Sequence, residues 1–87
     1  MTSQTVTVVN PLGMHARAAA RFVHLATRFQ SRIRVARDAR EMDGKSIMGV
    51  MMLAAECGAS ILLRADGPDE EAALDALAAV IADGFGE

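Results

Sequence analysis

Arg32-Ile33-Arg34-Val35-Ala36-Arg37-Asp38-Ala39-Arg40-Glu41-Met42-Asp43-Gly44-Lys45-Ser46 is the stretch that decides the architecture. Its first six residues alternate, which predicts a strand with Ile33 and Val35 facing inward and arginines on the other face. The polar run from Asp38 to Lys45 has room for a turn and a short third strand around Arg40–Met42. No helical crossover fits into so few residues, so the strands here run antiparallel.

Upstream, Gln4-Thr5-Val6-Thr7-Val8-Val9 alternates polar and β-branched residues and predicts a first strand. Asn10-Pro11-Leu12-Gly13 is turn chemistry that stops it. From Met14 to Gln30 the period becomes helical, with Ala19, Phe22, Val23, Ala26 and Phe29 on one apolar stripe. Downstream, Ser46 is a good N-cap for an apolar helix over Ile47–Ala55, with Gly58 placed to end it. Ser60–Ala65 reads as a strand with Ile61 and Leu63 on one face. Gly67-Pro68-Asp69-Glu70-Glu71 opens a last helix, with Pro68 in its first turn and three acids against the positive end of the dipole. Leu74, Leu77 and Ile81, with Ala73 and Val80, form its buried stripe, and Gly84 ends it. The order β-α-β-(β)-α-β-α predicts an α+β, two-layer domain: a small, mainly antiparallel sheet with three helices on one face.

The chain has 87 residues, which allows a single domain over 1–87. Hydrophobic residues make up 52% and aromatics only 3%, so the core must be aliphatic, alanine-rich and methionine-rich. Such a chain is too short to build a cleft with its own lid, which argues against an enzyme. The single Cys57 rules out an internal disulfide and a cysteine-rich zinc site. No metal and no cofactor is expected. Met1–Thr5 has no basic or apolar leader character, and no apolar run is long enough to insert in a membrane. The expectation is a soluble cytoplasmic protein. Basic residues lack the interleaved aromatics that nucleic-acid binding favours.

Charge is split. Residues 1–45 carry eight basic and three acidic residues, and residues 46–87 carry one and eight. A chain of net charge −2 thus has a basic half suited to a small anion or an acidic partner surface.

Within that half, Gly13-Met14-His15-Ala16-Arg17 puts an imidazole where the turn gives way to the helix. The unpaired N–H groups of a helix start attract anions, and its field favours the neutral, nucleophilic imidazole. Arg17 adds a guanidinium fork for phosphate oxygens. These groups together can accept a phosphoryl group; a plain polar residue near the cap is the other reading. Arg17, Arg21, His24 and Arg28 follow at spacings of four, three and four, making either a solvated face or a basic stripe for an acidic partner. His24 reads as a surface residue rather than a catalyst. Ser46, besides capping, can carry a phosphate at a helix start; the capping-box acid is missing because position 49 is Gly49. On the helix after it, Val50, Leu53 and Cys57 form one apolar stripe and Ile47, Met48, Met51 and Met52 another. The second is either core or an adaptable docking face.

Gly13-Met14-His15-Ala16-Arg17 and Lys45-Ser46-Ile47-Met48-Gly49-Val50 resemble the two signatures of the HPr family, the histidine-containing phosphocarriers of the phosphoenolpyruvate-dependent phosphotransferase system. Gly67-Pro68-Asp69-Glu70 and the ending Phe85-Gly86-Glu87 also look like that family, and the likeness spans the chain. It implies an open-faced β-sandwich, a four-stranded antiparallel sheet covered on one side by three helices. It implies that His15 takes a phosphoryl group on Nδ1 from phosphorylated Enzyme I and passes it to an enzyme II A domain, while Arg17 steadies the phosphate. Ser46 would be the regulatory site of an ATP-dependent HPr kinase/phosphorylase. Ala16, Ala20, Arg21, His24, Ile47, Met48, Gly49, Met51 and Met52 would form the partner surface of a monomer. The family commonly has Pro after His-Ala-Arg, where this chain has Ala18; Met42-Asp43-Gly44 replaces a stretch that often reads Val-Asn-Ala. Such variants also look like proteobacterial relatives of nitrogen-related phosphotransfer systems, which act on partner proteins rather than in sugar transport. A regulatory binding protein without sugar transport stays open. So does a small-molecule-binding domain, which requires a closed apolar pocket and a buried His15.

Overall fold

The computed structural model describes residues 1–87. It contains strand β1 (Thr2–Thr7), helix α1 (Ala16–Ala26), strands β2 (Arg32–Arg37) and β3 (Arg40–Asp43), helix α2 (Ile47–Met52), strand β4 (Ser60–Asp66) and helix α3 (Glu70–Ala82). A short 3-10 turn over Gly84–Gly86 follows. The four strands form one antiparallel sheet in the order β1-β4-β2-β3. The sheet is open on one side, and the helices pack on the other: the α+β open-faced sandwich expected.

Register explains which residues are buried. Val35 sits opposite Leu63 and Ile33 opposite Ala65. All four are at most 1% exposed. Their neighbours Arg34 and Arg64 face each other on the open side, as the period of two requires. Phe22, Val23 and Ala26 of α1 and Ala73, Leu74, Leu77 and Ile81 of α3 close the core from above, with Val50 and Leu53 from the α2 region. Phe29 and Val80 pack at its edge.

Several sequence expectations need correction, and the first helix is among them, running Ala16–Ala26 rather than on to Gln30. The second helix stops at Met52, not Ala55. Ala54 already has φ +51°, and Arg37 Nη1 binds the carbonyls of Leu53 (3.2 Å) and Ala54 (2.7 Å). Arg40 Nη1 donates to Met52 O at 2.9 Å. These arginines satisfy the carbonyls that another turn of helix would have used. Cys57 therefore lies outside the helix and is exposed, so its assigned stripe reduces to Val50 and Leu53. Gly58 serves instead in the loop into β4, where its N–H donates to Val8 O at 2.7 Å.

At the third helix, Asp69 is the N-cap residue and Pro68 precedes it. The Asp69 carboxylate does not cap the helix. It accepts from the N–H groups of Gln30 and Ser31, both at 2.9 Å, and from Ser31 Oγ at 2.5 Å. Those bonds, that from Ser31 Oγ foremost, hold its carboxyl below the usual carboxylate range. Asp69 thus ties the α1–β2 loop to the start of α3, and only Glu70 and Glu71 remain in the first turn. The first strand begins at Thr2 and ends at Thr7, earlier than the alternation suggests. Val8 is fully buried, its N–H bonded to Ala59 O at 2.9 Å, while Val9 is half-exposed.

Candidate functional site

The site is built from the turn upward. Gly13 N–H donates to Asn10 O at 3.0 Å, and Asn10 Nδ2 returns a bond to Gly13 O at 2.7 Å. Gly13 adopts φ +67°, and a Cβ there would lie 2.6 Å from Ala55 O. Only glycine brings the turn this close to the loop after α2. Met14 then locks in, with its side chain buried and its N–H on Ala55 O at 2.8 Å. His15 follows with extended backbone (φ −75°, ψ 177°), and its carbonyl accepts from Ala19 N at 2.8 Å.

His15 is therefore the N-cap residue of α1, as its place in the sequence suggested. No side chain caps this helix. The N–H groups of Ala16, Arg17 and Ala18 have no partner in the chain. An imidazole thus stands beside a row of free donors at the positive end of a helix. Its side chain is 26% exposed. Leu12, His15, Arg17 and Glu87 together line a shallow recess open to solvent. That exposure disagrees with the alternative of a buried histidine in a closed apolar pocket.

Arg17 is exposed and makes no bond within the chain, so its guanidinium is free beside the ring. Arg21, on the same helix face, is differently used: its Nη1 donates to Phe85 O. His24 and Arg28 continue the stripe in solvent.

Sequence reasoning missed two residues that the fold brings to the ring. Glu87 Oε2 meets His15 Nε2, and Glu87 Oε1 accepts from Asn10 Nδ2 at 3.1 Å. The hydrogen bond from Asn10, helped by the bond to His15 and the charge of Arg21, holds the Glu87 carboxyl below its ordinary range. No local pattern announces this arrangement. The one hint is Gly84-Phe85-Gly86, an aromatic between glycines just past a helix stop, in a chain with three Phe.

The second helix lies alongside the first. Ser46 caps it, its Oγ accepting from Gly49 N at 3.1 Å. Lys45 Nζ binds Phe29 O at 2.7 Å, so the adjoining ammonium is already engaged. Ile47 (39% exposed), Met48 (70%), Met51 (39%) and Met52 (55%) turn outward, and Leu12 is 73% exposed. This apolar surface is not core. Ala16 is exposed, and Ala20 and Gly49 are half-buried.

Comparison with known proteins agrees with this geometry. The family model described as the PTS HPr component phosphorylation site matches residues 2–83. The phosphocarrier protein HPr of Cupriavidus necator is 52% identical over 87 residues, covering all of this chain and 98% of that protein. The crystal structure of HPr-C-His from Thermoanaerobacter tengcongensis superposes with a TM-score of 0.96 at 44% identity, covering 100% of this chain and 98% of that one. An HPr dimer from the same organism gives a TM-score of 0.80 at 44% identity with full coverage of both chains. With the uncapped helix start, the partly exposed imidazole and a match along the whole chain, the protein belongs to the HPr family, the phosphocarriers of the phosphotransferase system.

Proposed function

We propose that His15 is the phosphoryl acceptor, charged on Nδ1 by phosphorylated Enzyme I and discharged to an enzyme II A domain. The observation that carries this reading is the placement of the ring: partly exposed, at an uncapped helix start, beside an unpaired Arg17. In the transfer, the Nδ1 lone pair attacks phosphorus. The bond from phosphorus to the donor's ring nitrogen breaks, and its electron pair stays with the donor. The Arg17 guanidinium and the free N–H groups of α1 face the negative charge of the transferring group, so no other catalytic group is needed on the carrier. The chain is a substrate in both steps, not a catalyst.

Ser46 is proposed as a regulatory phosphorylation site for an HPr kinase/phosphorylase. A phosphate there adds negative charge beside Ile47, Met48, Met51 and Met52, and repels an acidic partner without touching His15. The docking surface combines that apolar patch with Ala16, Ala20, Arg21, His24 and Gly49, supported by its exposure and by the position of α2 beside α1. A cytoplasmic monomer is the proposed working form; no helix is long and apolar enough to cross a membrane.

The test is intact mass after incubation with phosphoenolpyruvate and Enzyme I. One acid-labile phosphate, absent from His15→Ala, supports the proposal. An unmodified wild-type chain with a competent Enzyme I overturns it.

A further inference from the structure

We infer that Glu87 is a positioning residue for His15: its carboxylate, braced by Asn10, holds the Nε2 edge of the ring and so aims Nδ1 at the phosphoryl donor. This deepens, and rests on, the reading of His15 as the acceptor.

The contact is built from several independent parts. An ionised carboxylate only accepts hydrogen bonds, so the proton between His15 and Glu87 belongs to Nε2. The Nδ1 lone pair is then free. A carboxylate on the far nitrogen fixes ring orientation as it does for metal-bound histidines. Asn10 supplies the brace. It is 2% exposed, and its Nδ2 spans Gly13 O, just before Met14 and His15 in the chain, and Glu87 Oε1. Its Oδ1 is left buried without a partner. The amide therefore gives up one of its own bonds while both of its donors serve the site.

The backbone that delivers Glu87 is also specialised. Gly84, Phe85 and Gly86 have φ of +65°, +58° and +74°, three left-handed residues in succession. Phe85 is fully buried in a conformation that costs a bulky residue free energy. Arg21 holds its carbonyl, and a Cβ at position 86 would lie 2.9 Å from Arg21 Nη1. Such backbone persists where the surroundings over-determine it, most often at functional sites. Here it turns the chain after α3 back onto the start of α1. Glu87 lies 72 residues from His15 in sequence.

The experiment uses the full chain with 15N-labelled histidine, and reads the imidazole N–H by proton–nitrogen correlation. In the wild type, His15 should show an Nε2–H signal slow enough in solvent exchange to be seen. Glu87→Ala should lose it. Glu87→Gln, whose amide oxygen still accepts, should keep it. Phosphoryl transfer from Enzyme I should fall on the order of tenfold in Glu87→Ala, in line with loss of a group that orients a ligating histidine, and recover in Glu87→Gln. An Nε2–H signal unchanged in Glu87→Ala, or transfer by that variant at the wild-type rate, overturns the inference. Failure of His15 to take phosphate in the wild type would sink the acceptor reading instead, and the N–H signal tells the two failures apart.

Discussion

Replacing Gly13 by Ala tests how tightly the turn before His15 is built. Two costs add. A non-glycine residue held in the left-handed region, as φ +67° demands, loses about 1–2 kcal/mol. The new Cβ would also sit 2.6 Å from Ala55 O and 2.9 Å from Glu56 Cα, which are backbone atoms that cannot rotate away. Forcing the two loops apart resembles overpacking, about 1–3 kcal/mol. Restricting the unfolded chain returns about 0.4–1 kcal/mol. The net loss is about 2–4 kcal/mol, and a domain of this size melts roughly 4–8 °C lower per kcal/mol, so Tm should fall by about 8–32 °C. Gly58→Ala is the internal control. Gly58 has φ +94°, but nothing lies within 4 Å of its would-be Cβ. That variant carries the conformational cost alone. Both are measured by thermal unfolding followed by circular dichroism. If Gly13→Ala melts within about 2 °C of Gly58→Ala, the close approach between the loops contributes nothing and the reasoning fails.

Other predictions follow from the same structure. Ala54 occupies the left-handed position after α2 and is exposed, so Ala54→Gly should raise stability by about 0.5–1 kcal/mol, read as a higher Tm. Phe85→Ala empties a fully buried site and should cost about 3–5 kcal/mol in urea unfolding unless the last turn peels away first; peeling would show as rapid amide exchange confined to residues 84–87. Ser46→Ala removes the cap on Gly49 N–H and should cost about 1 kcal/mol, whereas Ser46→Asp should slow labelling by Enzyme I while the isolated domain stays folded. The carboxyls of Asp69 and Glu87 are lowered on folding, so their contribution is complete above the unfolded carboxylate pKa and is lost as pH falls through the lower folded value. Thermal melts from pH 7 down to 2 should show that loss, and Asp69→Asn should flatten it; an unchanged slope in Asp69→Asn would count against the Ser31–Asp69 clamp.

The strands and helices were legible because burial follows period. Ile33 and Val35 point inward for the same reason that Arg32 and Arg34 do not, and the short polar link to β3 left only an antiparallel turn. His15 was legible as well, because turn chemistry and helix onset meet at that residue. The errors share a cause. Helix α2 ends early because Arg37 and Arg40 reach its carbonyls from positions 12 to 17 residues away. Asp69 looks like a helix-dipole acid until Ser31, 38 residues earlier in the chain, claims it. Asn10 and Glu87 are separated by 77 residues, and only the finished fold makes them neighbours. Local propensity carries no information about partners that distant.

The order of strands in the sheet bears on how the chain is made as well as how it stands. β4 is the inner neighbour of both β1 and β2, so β1 pairs Thr2 with Ala65 and Thr7 with Ser60. On a ribosome, β1 emerges before β4 and waits for roughly two-thirds of the chain before its hydrogen-bonding edge finds a mate. At about 5–20 residues per second the wait lasts several seconds. Helix α1, the β2–β3 hairpin and α2 all emerge in that interval. A newborn β1 keeps its hydrogen-bonding edge open to other strands until β4 arrives.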